Sequence, residues 1–275
     1  MDNKNIFNPN YGVEQKDSKV QELSPIVSLK NIVQRYDTEV VFDGFNLEIP
    51  DIPEKGQFIS IMGKSGCGKS TILRYISGLQ KPTSGEILFR GRKREKNQSV
   101  PMVFQHYTNM EWKTVLQNVM LPLELKGVPK AEAEAQAKKI LEIVGLEGHA
   151  SQYAKYPLLS GGQLQRVAIA RGLVIHPDII LMDEPFGALD VKTRQDMQIF
   201  LRSIFESQED MTIILVTHSV SEAVFLSDKI VVLGEKPASV VENINISLGD
   251  VRHEGVIGSE AFKDYESKVR SALGL

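Results

Sequence analysis

One short stretch of the sequence has the residue types and spacing that bind phosphate. The stretch GKSGCGKST, residues 63–71, matches the pattern G-x-x-x-x-G-K-[ST] at Gly63, Gly68, Lys69 and Ser70. Glycines let the backbone turn its amides toward phosphate oxygens, and a following helix adds a favourable dipole. The pattern therefore predicts a nucleotide site in which Lys69 reaches the β- and γ-phosphates and the Ser70 hydroxyl binds Mg²⁺. The intervening residues of this cradle are Lys64, Ser65, Gly66 and Cys67.

Two adjacent carboxylates could supply hydrolytic chemistry to that nucleotide. In IILMDEP, Asp183 ends an apolar run and Glu184 follows it. A carboxylate at a strand end suits Mg²⁺, and a second one beside it suits a base that polarises the attacking water. The alternative is that two acids merely cap a strand; the phosphate loop in the same chain favours the catalytic interpretation.

A second glycine-rich motif, LSGGQLQR at residues 159–166, also resembles a phosphate cradle. Ser160 occupies an N-cap position, and Gly161 and Gly162 permit close approach of another group to the backbone. The motif lacks the lysine of the first cradle and follows a helical region rather than a core strand. We therefore expect it to face a γ-phosphate that another molecule holds.

The single cysteine, Cys67, lies inside the phosphate loop. A helix N-terminus and a nearby lysine both favour the thiolate, which predicts a thiol that reacts with maleimide and is protected by nucleotide. The alternative is a buried and inert thiol.

The elements that must position these motifs follow from hydrophobic patterning. Residues 57–62 are predicted as a buried strand and residues 69–78 as the helix that Gly78 ends. After residue 160, helices alternate with continuous apolar strands, which is typical of a parallel sheet covered on both faces. The predicted helices are 161–175, 191–207 and 219–226, and the predicted strands are 179–182, 212–217 and 229–233.

The remaining segments complete a predicted α/β fold, a P-loop NTPase core with a parallel sheet. Short β-type runs from Val27 to Ile49 indicate an N-terminal antiparallel subdomain, and the alanine-rich stretch 131–145 indicates an inserted helical subdomain over about 106–172. We divide the chain into a mobile polar segment (1–24), an ATPase domain (25–240) and a short tail (241–275) with a helix over 259–273.

Composition narrows the class of protein. The net charge is −3 and charged residues make up 24% of the chain, so no electrostatic signature of nucleic-acid binding is present. The basic run Arg90–Lys96 is interpreted as a solvated turn, with a docking patch as the alternative. One cysteine excludes a disulfide framework, and no apolar run approaches the length of a membrane span.

Six motifs in order give the chain a resemblance to a known family. The set GKSGCGKST, Gln105, LSGGQLQR, LMDEP, GALD and THS at 217–219 resembles the ATPase subunit of an ABC transporter over approximately residues 26–234. The resemblance implies that two copies meet head to tail around two ATP molecules. Each ATP would then lie between one copy's phosphate loop and the other copy's LSGGQ motif, which explains the second cradle.

The resemblance also implies roles for individual residues. Lys69, Ser70 and Thr71 would bind phosphate and Mg²⁺, with Asp183 on the metal side and Glu184 as general base.

Other implied roles lie outside the phosphate loop. Gln105 would sense Mg²⁺ and the attacking water and link them to the membrane partner, and His218 would contact the γ-phosphate. Tyr36 would stack on adenine, with a core tyrosine as the alternative, and Asp190 in GALD would connect the two copies. In the signature motif, Ser160, Gly161, Gly162 and Gln163 would contact the partner copy's ATP.

The residues of these motifs are most similar to those of importers of the nitrate, sulfonate and taurine type. That type implies a permease in the membrane, indirectly a solute-binding protein, and a peripheral location at the cytoplasmic face of the bacterial inner membrane. Two departures are NMEW at 109–112, where the family usually has an L-P-W-like stretch, and RGL at 171–173 instead of RAL. The alternatives are an exporter or lipoprotein-release ATPase, a non-transport ABC ATPase, and a P-loop kinase or GTPase.

Overall fold

A computed structural model of the chain describes residues 24–37, 39–52, 54–95, 100–207, 210–249 and 252–275. The predicted mobile segment, residues 1–24, lies outside these ranges except for Ser24. Among the described residues, no helix is both long enough and apolar enough to cross a membrane.

A six-stranded sheet forms the centre of the molecule, in the order β10-β9-β3-β8-β7-β6. Strands β3 to β9 of this sheet run parallel, and β10 pairs antiparallel with β9 at the edge. All five residues of β8 are buried, as are four of five in β7, which confirms that the continuous apolar runs are strands covered on both faces. The strands are β3 (Gln57–Gly63), β6 (Met102–Val103), β7 (Ile179–Asp183), β8 (Thr212–Val216), β9 (Lys229–Leu233) and β10 (Val240–Asn245).

A second, antiparallel sheet has the order β2-β1-β4-β5 and packs over the phosphate-loop side of the central sheet. Its inward side chains join the first helix in one apolar cluster, in which Phe42 and Tyr75 are almost fully buried. The predicted N-terminal antiparallel subdomain is therefore present. Its strands are β1 (Val27–Tyr36), β2 (Glu39–Ile49), β4 (Ser84–Phe89) and β5 (Arg92–Lys93).

Helices cover the sheet and form a separate layer of their own. Helices α2, α3 and α4 pack against one another, as the alanine-rich stretch predicts. Capping boxes begin two of them: Thr114 with Gln117 for α2, and Ser160 with Gln163 for α4. The helices are α1 (Lys69–Ser77), α2 (Val115–Leu125), α3 (Lys130–Ile143), α4 (Gly161–Leu173), α5 (Val191–Glu206), α6 (Val220–Leu226) and α7 (Glu260–Leu273).

The C-terminal residues form a strand as well as the predicted helix of the short tail. The strand β10 begins at Val240 and extends the central sheet, and α7 packs on α6 and β9 through Phe262 and Val269. No strand was predicted at β10, because VVENIN alternates apolar and polar residues only weakly. The weak alternation follows from the edge position of β10, since only one neighbouring strand and one covered face constrain its residue types.

Candidate functional site

The phosphate loop joins β3 to α1, and its glycines are required by the backbone and its neighbours. Gly68 has a φ of +107°, and a Cβ there would lie 2.4 Å from Cζ of Phe42 on β2. A Cβ on Gly63 would lie 2.8 Å from Sγ of Cys67 and 2.9 Å from the carbonyl oxygen of Leu233. The antiparallel sheet thus crowds the loop at Gly68, while Cys67 and the end of β9 crowd it at Gly63, so both positions require glycine.

Lys69 lies folded into its own loop. Its Nζ donates to the carbonyl oxygens of Gly63 and Lys64 at 2.8 and 3.0 Å, and the residue is only 8% exposed. The ammonium charge therefore sits at the centre of the loop, where an anion cradled by the backbone amides would meet it.

Ser70 and Asp183 form a pair of hard oxygen ligands beside the loop. The Ser70 hydroxyl donates to Oδ1 of Asp183 at 2.9 Å, from the first turn of α1 to the end of β7. Burial raises the pKa of Asp183, and the charge of Glu184 adds to that rise, while the hydrogen bond from Ser70 opposes it. A divalent cation would compensate this half-buried carboxylate, and two hard oxygens are the donors Mg²⁺ takes. The residues present fit Mg²⁺.

Glu184 and His218 meet because β7 and β8 are neighbours in the sheet. His218 follows Thr217 at the end of β8, and its Nδ1 lies 3.1 Å from Oε2 of Glu184. Glu184 has a φ of +47°, an unfavourable conformation for a residue with a Cβ, and its N–H donates to the carbonyl oxygen of Val216. Strained residues of this kind concentrate at functional sites, so the backbone of Glu184 is consistent with a catalytic position.

Gln105 lies against the turn that follows Glu184. A Cβ on Gly187 would be 2.9 Å from Nε2 of Gln105, so the side chain rests on that turn. Among the hydrogen bonds of the described residues, none joins Gln105 to Ser70 or Asp183. The resemblance implies that Gln105 joins Ser70 and Asp183 around Mg²⁺; the structure pairs Ser70 with Asp183 and places Gln105 on the neighbouring turn.

The two glycines of the second cradle are packed within the chain itself. A Cβ on Gly161 would lie 2.6 Å from Oη of Tyr107, and a Cβ on Gly162 would lie 2.8 Å from Cγ2 of Thr193. Ser160 and Gln163 close the capping box, and Nε2 of Gln163 also lies 2.9 Å from Nε2 of His149. Sequence reasoning explained the glycines by an approaching phosphate, and internal packing is a further reason that no local pattern reveals.

Tyr36 and Asp190 are both at the surface. Tyr36 ends β1, is 43% exposed, and its hydroxyl accepts a hydrogen bond from Gln80 at 2.6 Å. A core tyrosine is therefore wrong, and the ring is available for stacking. Asp190 caps α5, and hydrogen bonds from Thr193 hold the pKa of its carboxyl below the usual value.

Cys67 is buried, so the expectation of an accessible thiolate is wrong. The residue is 2% exposed, and Sγ packs against Gly63 within the apolar cluster under the antiparallel sheet. The burial agrees with the alternative of a buried thiol, because the side chain lies in the apolar cluster and not at the surface of the loop.

Three residues of the basic run Arg90–Lys96 make specific contacts, and Lys96 lies outside the described residues. Arg90 bonds Asp51 and Asp178, and Lys93 lies 2.9 Å from Glu86. Arg94 lies over the ring of Phe89 and donates to the carbonyl oxygen of Ser77 at the end of α1. These contacts attach the turn to the small sheet and to α1.

One buried acid near the site was missed by sequence reasoning. Glu222, on α6, is 5% exposed, and its Oε1 has no hydrogen-bond partner. Burial raises its pKa to about 7; a hydrogen bond from Thr217 and the charge of Arg194 oppose that rise, and Glu184 adds to it. The signal was present as the spacing Ser219-x-x-Glu222, which is the pattern of a capping box.

Comparison with known proteins identifies similar chains. A family model described as "ABC transporter" matches residues 46–187. An uncharacterized ABC transporter ATP-binding protein of Methanocaldococcus jannaschii is 46% identical over 232 residues, 84% of this chain and 83% of that protein. A nitrate import ATP-binding protein of Synechocystis is 43% identical, over 71% of this chain and 73% of its own length. A spermidine/putrescine import ATP-binding protein of Spiroplasma citri is 42% identical over 76% of this chain, which spans 59% of that relative.

Solved structures of similar shape are also known. A dimeric bacterial ABC transporter cassette, MJ0796, superposes with a TM-score of 0.67 and 33% identity, over 80% of this chain and 99% of that chain. The protein cbiO1 of Clostridium perfringens, described as part of the transporter complex cbiONQ, has a TM-score of 0.70 at 26% identity, over 81% and 89% of the two chains. MJ0796 has also been solved bound to ADP and phosphate after hydrolysis.

Proposed function

The chain belongs to the ABC transporter family of ATP-binding proteins and is an ATPase, and from this we propose that it powers an importer as its ATP-hydrolysing subunit. The observation that carries the proposal is the meeting of two pairs at the phosphate loop. Asp183 ends β7 and Glu184 follows it, and His218 lies just after the adjacent parallel strand β8. Ser70, on the first turn of α1, is bonded to Asp183. That edge of an open α/β sheet is where ligands bind.

Each residue of the site has its own role in the proposed hydrolysis. Lys69 and the loop amides bind the phosphates, and Thr71 follows them on α1. Ser70 and Asp183 would hold Mg²⁺, which when bound would neutralise phosphate charge. Glu184 accepts the proton of the attacking water, and Nδ1 of His218 fixes the direction of that carboxylate. Tyr36 supports the adenine ring.

Two copies of the chain complete the sites, with Ser160 to Gln163 of one copy facing the ATP of the other. Asp190 lies at the contact between the copies and Gln105 beside the attacking water. The permease lies in the membrane, and this chain binds the permease at the cytoplasmic face of the membrane. A solute-binding protein delivers solute to the permease and is an indirect partner of this chain. The relative that imports nitrate supports a small anion such as nitrate, sulfonate or taurine as the solute.

Glu184→Gln tests hydrolysis and dimerisation together. The amide retains the size of the side chain but cannot accept the proton, so turnover should fall by about 100-fold or more while ATP still binds. The trapped ATP should hold two copies together, which size-exclusion chromatography with Mg-ATP measures. Glu134→Gln, on the exposed face of α3, is the control. Normal hydrolysis by Glu184→Gln, or a monomer at saturating ATP, would contradict the proposal.

Trp112→Ala tests docking on the permease. Trp112 is 74% exposed, and an unpacked indole is the kind of side chain that anchors an interface. The substitution should leave the thermal unfolding midpoint unchanged and reduce the amount of permease that copurifies with the tagged chain. Leu125→Ala, which removes another exposed apolar side chain at the end of α2, is the matched control. Full copurification of the permease with Trp112→Ala would contradict a docking role for this side chain.

A further inference from the structure

The segment that carries Gln105 has no regular secondary structure. Residues 105–110 leave β6 and lead to α2 without forming a helix or strand. Among the described residues, no backbone hydrogen bond is formed by the amides of Gln105 through Asn109. The position of this segment therefore depends on side-chain contacts.

Those contacts come from α4, the helix that begins with the LSGGQ motif. Arg171 donates from Nη1 to the carbonyl oxygen of Thr108 and from Nη2 to its hydroxyl, each at 2.7 Å. Asn109 donates to the carbonyl oxygen of Leu164 at 2.8 Å. Tyr107 lies directly over Gly161. Three successive residues are thus attached along the length of one helix.

The following residues are attached to the same subdomain by a buried amide. Asn118 on α2 is fully buried, accepts from the N–H of Met110, and donates to the carbonyl oxygens of Met110, Lys113 and Thr114. On the side of the central sheet, Gln105 rests on Gly187 without a hydrogen bond among the described residues. Between β6 and these contacts, Gln105 and His106 form no hydrogen bond with other described residues, so the place of Gln105 depends on how the residues after it are held.

We propose that Arg171 is a positioning residue: its two-point contact with Thr108 fixes residues 107–109 to α4, and this anchor holds the neighbouring Gln105 in its place on the turn at Gly187. A guanidinium is suited to this task because its planar fork holds two oxygens in one geometry, which a lysine cannot do. The proposal rests on the proposed function in one respect, the placing of Gln105 beside the attacking water. Arg171 itself touches no nucleotide in this arrangement.

Proteolysis tests the attachment without any reference to activity. Chymotrypsin cuts after Tyr107 only when that ring leaves its place over Gly161, so the cutting rate follows the detached population. Arg171→Lys, which leaves the sequence around the bond intact, should raise the rate of this cut about tenfold, measured by mass spectrometry of the fragments. Arg90→Lys, which removes a two-point arginine contact far along the other sheet, should not. An unchanged rate in Arg171→Lys overturns the proposal.

Kinetics tests the consequence for hydrolysis. Arg171→Lys and Thr108→Val should each lower kcat for Mg-ATP about tenfold and leave KM within about twofold, since the nucleotide binds but Gln105 is misplaced. Thr108→Ser retains the hydroxyl and should restore the wild-type kcat. A higher KM at unchanged kcat, or a Thr108→Ser variant as slow as Thr108→Val, overturns the proposal.

The two measurements separate this inference from the proposed function. If the wild type hydrolyses ATP and Glu184→Gln does not, the proposed function stands whatever the Arg171 variants do. If the wild type does not hydrolyse ATP, the proposed function fails, and the cut after Tyr107 still decides whether Arg171 holds the loop.

Discussion

At the scale of single residues, Glu222 is a buried acid behind the pair formed by Glu184 and His218. Its carboxyl is bonded to Thr217, the residue before His218, and the groups facing it are Arg194 from α5 and Glu184 from the end of β7. Its N–H also donates to the Ser219 hydroxyl at 3.3 Å. Glu222 is thus part of the turn that presents His218, and its charge state is linked to folding.

Replacing Glu222 by Gln should change how stability depends on pH. The folded-state pKa is raised from 4.5 to about 7, so the folded protein holds a proton that the unfolded chain releases. Wild-type stability from this group is full below the unfolded value and is lost as pH rises through about 7. The amide cannot ionise. The free energy of unfolding of Glu222→Gln, relative to that of the wild type, should therefore rise by up to about 3 kcal/mol between pH 4 and pH 8.

Urea unfolding of both proteins at several pH values measures this difference. Glu142→Gln, which replaces an exposed carboxyl on α3, should stay parallel to the wild type over the same range. Parallel curves for Glu222→Gln would mean that the acid remains charged in its buried position.

At the scale of elements, α4 packs very closely on β7 through Gly172. A Cβ on Gly172 would lie 2.9 Å from Cδ1 of Ile180 and 3.6 Å from Cβ of Pro101. The usual alanine of the family would meet that methyl group, which accounts for the RGL sequence at 171–173.

Gly172→Ala should therefore destabilise the protein despite the better helix propensity of alanine. The overlap between the added Cβ and the Ile180 methyl group should lower the free energy of unfolding by about 1–3 kcal/mol. The better helix propensity of alanine should offset about 1 kcal/mol of this loss. Ile180→Val removes the conflicting methyl group, so in that background Gly172→Ala should be neutral or stabilising. A double-mutant cycle of unfolding free energies should show a coupling of about 1–2 kcal/mol, and additive effects would contradict the close contact.

At the scale of the whole molecule, Arg252 connects the C-terminal segment to the core. Its side chain is 1% exposed, and Nη1 donates to the carbonyl oxygens of Val224, Phe225 and Ser227 at the end of α6. Its Nη2 lies 3.3 Å from Asp228. The segment before α7 thus caps the short helix that follows His218, so the C-terminal residues support the catalytic edge of the sheet.

Arg252→Met should lower the free energy of unfolding by about 3–5 kcal/mol, because it leaves carbonyl groups and part of a buried carboxylate without their cation. Urea denaturation monitored by circular dichroism measures the loss. Arg270→Met removes an exposed arginine from α7 and should stay within about 0.5 kcal/mol of the wild type. A small loss in Arg252→Met would show that the capping of α6 contributes little.

The sequence by itself determined the chemistry that depends on neighbouring residues. Phosphate binding needs a glycine loop, a lysine and a helix start in one run, so GKSGCGKST predicts its own local structure. Continuous apolar runs likewise predicted β7, β8 and β9 to within a residue or so, because burial on both faces requires them.

Only the tertiary structure decided what depends on residues far apart in the chain. Glu184 and His218 become neighbours through the pairing of β7 with β8, and Gly161 meets Tyr107 through the docking of α4 on the loop. Cys67 is buried in the apolar cluster under the antiparallel sheet, which no local pattern reports, so the expectation that its side chain is accessible was wrong. Local sequence specifies backbone conformation and residue chemistry, whereas burial and contact are set by which elements pack together, and that is a property of the whole chain.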